Sequence, residues 1–359
     1  MIMNPKSAPD QMSISRSDPT RALARVALRS IGVVAAVVLA ACQFFPPVAG
    51  HVSELPIIDV HGHLQQAMSA EELVRLMDEA GVSRMVLQAT HGPQRGTDAQ
   101  ALSYARKYPT RFVPFIGFQN RPPIGPPESW RNPTPATLAF LDGVEAKLRG
   151  GGFSGLGEIV LRYHGHFEQG RNCCPEVDRP ADSPLMFRIA DMATRFQVPM
   201  IIHAEGEPKV VAGMERVLKS YPNATVIWGH NCGRQSAEAI ERLLSNYANL
   251  YCDLGGMTYT RERGYGASWP RSTPWTFPIE TGFGRLLAEM KELFERFPDR
   301  FMVGMDVYFN EAYRFFPERV HRFRQLLSEL SPATARKLAY ENAERVLKLP
   351  PAPRQQPLR

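Results

Sequence analysis

Five short apolar segments of this chain each end in side chains that can bind a metal or move a proton. The first reads Asp59-Val60-His61-Gly62-His63. Alternation along an extended chain sends both imidazoles to one side, and Gly62 leaves no side chain between them. Glu158 stands alone in the run Gly157-Glu158-Ile159. His203 closes Ile201-Ile202-His203, His230 follows Trp228-Gly229, and Asp306 follows Gly304-Met305. One histidine beside a strand is more often a hydrogen-bonded structural residue, and one buried acid commonly pairs with an arginine. Four histidines and two acids at the ends of five segments form a joint pattern that neither account covers. Imidazole with carboxylate suits Zn²⁺ first, with Mn²⁺ or Fe²⁺ also fitting. No cysteine belongs to the set, which argues against a closed structural zinc site. One or two such divalent ions would acidify water and polarise a carbonyl or phosphoryl oxygen.

For these side chains to meet, the segments that carry them must converge. Near-continuous apolar runs at 57–60, 84–89, 112–118, 153–160, 199–203, 225–229, 250–254 and 301–306 read as parallel strands buried on both faces. Amphipathic stretches lie between them. One opens with the capping box Ser69-Ala-Glu-Glu72 and another with Ser183-Pro184. Eight strands alternating with helices predict a (β/α)₈ TIM barrel, whose strand C-terminal ends share one mouth. No G-x-G-x-x-G follows the first strand, so a dinucleotide fold is disfavoured. Two connections are long, 162–182 and 255–282, and both leave strand C-terminal ends. The first carries Arg162, Tyr163 and His164, expected to line a substrate pocket. His164-Gly165-His166 repeats the H-x-H spacing without following a strand tip of its own. The second carries Tyr259, Arg261, Arg263, Tyr265, Trp269 and Trp275, which suggest a lid over an organic anion.

The set H-x-H, then His, His and Asp at later strand tips, resembles the amidohydrolase superfamily of metal-dependent hydrolases. The closing Tyr340-Glu-Asn-Ala-Glu-Arg-Val-Leu347 is similar to its Asn-Ala-x-Arg segment. The resemblance implies that His61, His63 and Asp306 hold the more buried ion and that His203 is the strand-five ligand. It makes His230 a ligand of a second ion in binuclear members and a substrate-polarising group in mononuclear ones. Glu158 matches the carboxylate that bridges two ions in the TatD-like branch. The layout also resembles the amidohydrolase-2 branch, whose lactonases and decarboxylases usually hold one ion. Other decarboxylases of that branch carry an acid where this chain has H-x-H. By this resemblance the catalytic residues are Asp306, a ligand that also takes and returns a proton, and His230, which steadies charge on the attacked oxygen. The expected activity is hydrolysis of an ester, lactone, amide or phosphoester of a small organic molecule. A non-oxidative, metal-dependent decarboxylase on the same scaffold is the alternative, and a binding lipoprotein with a retired site is disfavoured by the intact ligand set.

The chain has 359 residues, a formal net charge of +6 and a mean hydropathy of -0.25. This composition excludes a polytopic membrane protein and a disordered chain. Its first 41 residues hold Lys6, Arg16, Arg21, Arg25 and Arg29 against Asp10 and Asp18, so they supply half of the excess charge. The uncharged run that follows, 31–41, is too short to span a bilayer but suits the apolar core of a secretory signal. It ends Leu39-Ala40-Ala41-Cys42, which resembles a bacterial lipobox with Cys42 as the lipidated residue. The expected organisation is a lipoprotein signal peptide at 1–41, a linker at 42–54, a barrel at 55–348 and a disordered, proline-rich tail at 349–359. The expected location is exported, with the lipid on Cys42 tethering the protein to a bacterial membrane facing the periplasm. The modest remaining charge and the lack of a Lys/Arg cluster argue against nucleic acid as a partner. Pairings among Cys173, Cys174, Cys232 and Cys252 stay open, as does oligomeric state.

Overall fold

The computed structural model describes residues 47–168, 171–174, 176–258, 277–281 and 284–351, with the side chains of 166–168 and 171–174 excepted. The segment expected to be a signal peptide, Cys42 and the residues 259–275 expected to form a lid lie outside the described residues.

Eight parallel strands form the barrel. They are β1 (Ile57–Leu64), β2 (Val82–Ala89), β3 (Phe112–Ile116), β4 (Gly155–Tyr163), and, after three short strands, β8 (Met200–Ala204), β9 (Val226–Trp228), β10 (Leu250–Asp253) and β11 (Phe301–Met302). They pair in the order β1-β2-β3-β4-β8-β9-β10-β11. The ring closes through Val60 N to Val303 O at 3.0 Å, Asp306 N to His61 O at 2.8 Å, and a bridge between Gly62 and Val307. The connection after β4 holds β5 (His166–Glu168) and β6 (Arg171–Cys174), which pair with each other, and β7 (Val177–Asp178), which pairs with β4. Cys173 and Cys174 therefore lie on β6.

Local sequence explains the helices between the strands. Ser69 and Ser183 accept from Glu72 N and Met186 N, each at 3.1 Å, and so satisfy orphan donors at the helix starts. Such a cap contributes about 1 kcal/mol. The main apolar core lies between the sheet and the helices. A smaller one fills the lower barrel with Ile58, Val60, Val86, Val113, Phe115, Ile201, Ile227 and Met302. Above that plug the interior turns polar, and the candidate site sits there.

Two boundary expectations need correction. Part of the expected linker is packed: residues Gly50–Ser53 form a helix with Val52 fully buried, and Arg324 Nη1 donates to Val52 O at 2.8 Å. The start of the tail is also held, because Arg84 Nη1 and Nη2 donate to the carbonyls of Pro350 and Pro351. In both places arginine satisfies carbonyls that a purely compositional reading leaves to solvent.

Candidate metal centre at the barrel mouth

Irregular backbone sets the aim of the key side chains. On β1 a register shift between Asp59 and Gly62 changes the alternation, so Val60 fills the plug while His61 and His63 face the mouth. Gly62 is required, since a Cβ there would lie 2.6 Å from Val86 O. A second shift between Leu156 and Ile159 turns Glu158 inward on β4. On β8 plain alternation suffices, with Ile201 in the plug and His203 one step above it. His230 lies past the end of β9 in a turn where residues 230–234 all have positive φ. Asp306 lies past β11, which is shorter than the 301–306 run suggests.

Glu158 stands at the centre of the assembled group. Its Oε1 is 2.9 Å from His203 Nδ1, 3.3 Å from His230 Nε2 and 3.4 Å from His61 Nε2, while Oε2 is 3.6 Å from His63 Nε2. Asp306 Oδ1 lies 3.2 Å from His63 Nε2 and 3.8 Å from His61 Nε2, and Oδ2 lies 3.8 Å from His230 Nδ1. Three sets have ligand atoms close enough to share an ion: His61 with His63 and Glu158, Glu158 with His203 and His230, and His61 with His230 and Asp306. The structure thus brings together all six residues that the sequence nominated as ligands. Buried His61 Nε2 makes no aligned hydrogen bond there. A nitrogen lone pair facing carboxylate oxygens fits a cation, so the donor set passes the chemical test for a divalent ion.

Several supporting residues escaped the sequence reading. Asp253 on β10 lies 3.1 Å from His61 Nδ1 through both oxygens, the usual way a carboxylate orients a ligating imidazole. Its signal was available, because Tyr251 and Asp253 alternate inward as Ile201 and His203 do. Glu205 lies 3.1 Å from His203 Nε2 and receives Arg234 Nη1 at 2.6 Å. Asp59 Oδ1 accepts from His61 N and Met305 N, which ties β1 to the segment carrying Asp306. Gln119 Nε2 donates to Glu158 Oε2. Tyr308 sets its ring 5.1 Å from that of His63, and Arg95 lies over the Tyr308 ring at 4.0 Å.

Electrostatics follow from these contacts. Burial alone would depress the His203 imidazole, but Glu158 and Glu205 carry it up to about 8. Burial opposes charge on His61 too, yet Asp253 and Glu158 hold it well above the ordinary histidine range. Burial, Arg234 and His203 push His230 down, towards the neutral form that binds metal. Burial disfavours ionised Glu205, but Arg234 and His203 hold its carboxyl down to about 2. Asp59, buried with little counter-charge, is raised to about 6.

The three nominated substrate residues separate. Tyr163 stands edge-on to His203, ring centres 5.1 Å apart. Arg162 is engaged in a rim network instead, donating from Nε to Glu207 and from Nη1 to Glu176 at 2.7 Å. His164 lies in the same network, with Nε2 3.0 Å from Glu207 and Nδ1 3.2 Å from Arg162 Nη2.

Fold and site together define a TIM-barrel enzyme whose mouth carries a histidine–carboxylate cluster. The Amidohydrolase family model matches residues 42–349, and the chain belongs to that family. It is a metal-dependent amidohydrolase-like enzyme. Among solved structures, it is similar to an uncharacterised TIM-barrel protein from Bordetella bronchiseptica, with 16% identity and a TM-score of 0.55, over 82% of this chain and 99% of that one. It is also similar to a "probable 2-pyrone-4,6-dicarboxylic acid hydrolase" from Acinetobacter baumannii with citric acid bound, with 14% identity and a TM-score of 0.50, over 82% and 100%. Among curated proteins none matches this chain.

Proposed function

We propose that this protein is a hydrolase of a small ester, lactone, amide or phosphoester, with two divalent ions held in two lobes that share Glu158. The observation that carries the reading is the position of Glu158, within 3.4 Å of His61 on one side and of His203 and His230 on the other. His61, His63 and Asp306 would hold the first ion, and His203 and His230 the second, with Zn²⁺ suited and Mn²⁺ or Fe²⁺ compatible. When bound, such ions acidify water and polarise the bond under attack.

The chain's own residues supply the rest. Asp253 holds the His61 ring in place through Nδ1, leaving Nε2 for the cluster. Asp306 is the member of the set that reaches the opening, its side chain 20% exposed. Its carboxyl is held well below the usual range because His63, His61 and His230 outweigh its burial. It is therefore ionised at neutral pH and placed to take a proton from water and return it to a leaving group. Tyr163 and Tyr308 flank the histidines and would bound the substrate, while Arg162 and His164 would shape the rim. Decarboxylation on the same scaffold is the competing chemistry. Turnover in ¹⁸O-water decides between them: the hydrolase places ¹⁸O in the organic product, whereas CO₂ release with no label in the organic product overturns the hydrolase reading.

We also infer export, with Cys42 as a lipid-bearing residue and the barrel facing the periplasm. The lipobox-like Leu39-Ala40-Ala41-Cys42 supports this. So does a disulfide between Cys232 and Cys252, because disulfides persist in oxidising compartments. Membrane fractionation of wild type and Cys42→Ala tests it, and an equally soluble wild type would overturn it.

A further inference from the structure

The backbone reverses its helical hand beside the site. His230, Asn231, Cys232, Gly233 and Arg234 hold φ between +53° and +78°, and four of the five are not glycine. In L residues this conformation brings Cβ against the following carbonyl, so it normally occurs as single residues. Five in succession require outside restraint. Hydrogen bonds provide part of it: Gly206 N donates to Gly233 O at 2.9 Å, and Gln235 Nε2 to Cys232 O at 2.6 Å. The covalent restraint is a disulfide from Cys232, the middle of the turn, to Cys252 on β10. Cys252 pairs in register with Trp228, the last residue of β9, so the bond clips the turn back onto the strand next to its own. Both sulfurs sit in fully buried residues.

The clip joins the two segments on which His230 depends. Asp253 follows Cys252 directly and accepts from Gly255 N at 2.8 Å and from His230 N at 3.4 Å. Gly255 O in turn lies 2.8 Å from His230 Nδ1. These contacts leave His230 Nε2 2.7 Å from His203 Nδ1 and 3.3 Å from Glu158 Oε1. His61 and His63 come from β1. His61 meets Asp253, but that residue is held opposite Met302 in the β10–β11 ladder and not in the turn. Among the described residues no covalent tie links the two histidines to the turn.

We propose that the Cys232–Cys252 disulfide is a positioning device for the lobe formed by His203, His230 and Glu158, holding the left-handed turn that presents His230. Opening it releases His230 and leaves the His61/His63/Asp306 lobe and the barrel in place. The proposal rests on the reading of that lobe as a metal holder.

The test measures Co²⁺ uptake in wild type, C232S/C252S, H230A and the combined variant, with circular dichroism to confirm folding. H230A defines the share of uptake that His230 supports. The expected result is that C232S/C252S weakens that share about 10–100-fold, as loss of an orienting partner does. The combined variant should be no weaker than H230A alone, because the clip acts through His230. Unchanged uptake in C232S/C252S, or a loss that adds to H230A, overturns the proposal. If the serine variant does not fold, wild type reduced with a trialkylphosphine and then alkylated replaces it. A disulfide that opens only with global unfolding also overturns the proposal, since the bond would then hold the barrel and not the turn. If wild type takes up no Co²⁺, or H230A removes none, the metal reading fails and the clip is judged in metal-free protein. There the ¹⁵N ring resonances of His230 should move in C232S/C252S while those of His63 stay. No movement at His230 overturns the clip.

Discussion

Asp98 and Glu158 are both buried acids that touch imidazoles, and their surroundings separate a structural charge cluster from a functional one. Asp98 Oδ1 takes His91 Nε2 at 3.0 Å and Gly117 N at 2.9 Å, and Oδ2 takes Arg121 Nη2 and Lys147 Nζ, each at 2.6 Å. Two permanent cations answer one acid, and against its burial they and His91 hold the carboxyl well below the usual range. At the mouth, Glu205 has Arg234, whereas Glu158, Asp253 and Asp306 face imidazoles. Counter-charge there must come from protons on histidine or from an added cation. Burial and a histidine partner are common to both regions. The source of the positive charge is what differs, and it marks which region is built to receive something.

Chelation probes that difference most strongly. Exhaustive removal of divalent ions is expected to abolish turnover. Glu158→Gln is expected to lower kcat on the order of 10²–10³-fold while circular dichroism stays native. Activity that survives chelation would falsify the metal reading and erase the contrast with Asp98. The converse change is Asp98→Asn, which takes the buried carboxylate away from half-buried Arg121 and exposed Lys147. It is expected to cost about 1–3 kcal/mol of stability, read from denaturant midpoints, with kcat per folded molecule unchanged. A variant as stable as wild type would show that the Asp98 cluster is not structural.

The two clusters were unequally legible in the sequence. The mouth was readable because strand tips bring its residues together from short motifs, and H-x-H, Gly-Glu-Ile and a lone His after Ile-Ile each interrupt an apolar run. The eight strands were readable for the same reason, although their ends moved. β1 continues to Leu64, and β11 stops at Met302. Those shifts come from bulges and bridging hydrogen bonds, which composition does not encode. The Asp98 cluster left no pattern, since His91, Arg121 and Lys147 come from three different segments and each looks like ordinary surface charge. Asp253 lay between these cases. Its inward alternation was visible, but a single acid at a strand end reads as a cap until His61 is seen against it. The left-handed turn at 230–234 was hidden, because only Gly233 and, less strongly, Asn231 favour positive φ by their own chemistry, and such residues normally adopt it singly.

Asp253→Asn sharpens the contrast at smaller scale. The amide keeps the shape of the carboxylate but not its charge, so the His61 ring stays oriented and loses basicity. Metal affinity is expected to fall about 10–100-fold, measured by competition with a chelating dye. The same isosteric change at Asp98 should leave metal affinity untouched. Equal affinities in wild type and Asp253→Asn would mean that His61 is not a ligand of the ion.

Proton–metal competition gives the smallest and most diagnostic effect. The His203 pKa is raised to about 8 by Glu158 and Glu205, which overcome its burial. A raised folded-state value means the protonated ring stabilises metal-free protein fully below the ordinary histidine value near 6.5, and that contribution is lost as pH rises through about 8. Metal binding requires the neutral ring and must release that proton. Apparent affinity at the His203 lobe should therefore rise with pH between about 6.5 and 8, approaching tenfold per unit for the one proton displaced, and level off above it. Melting temperatures should diverge over the same window, metal-free protein weakening while metal-loaded protein holds. The deficit caused by Asp98→Asn should persist at pH 8, because no imidazole of the mouth takes part in the Asp98 cluster. Titration calorimetry in two buffers of different ionisation enthalpy counts the released protons. Zero release at pH 7 would show that the imidazoles of the mouth are already neutral, and that they do not supply the missing positive charge.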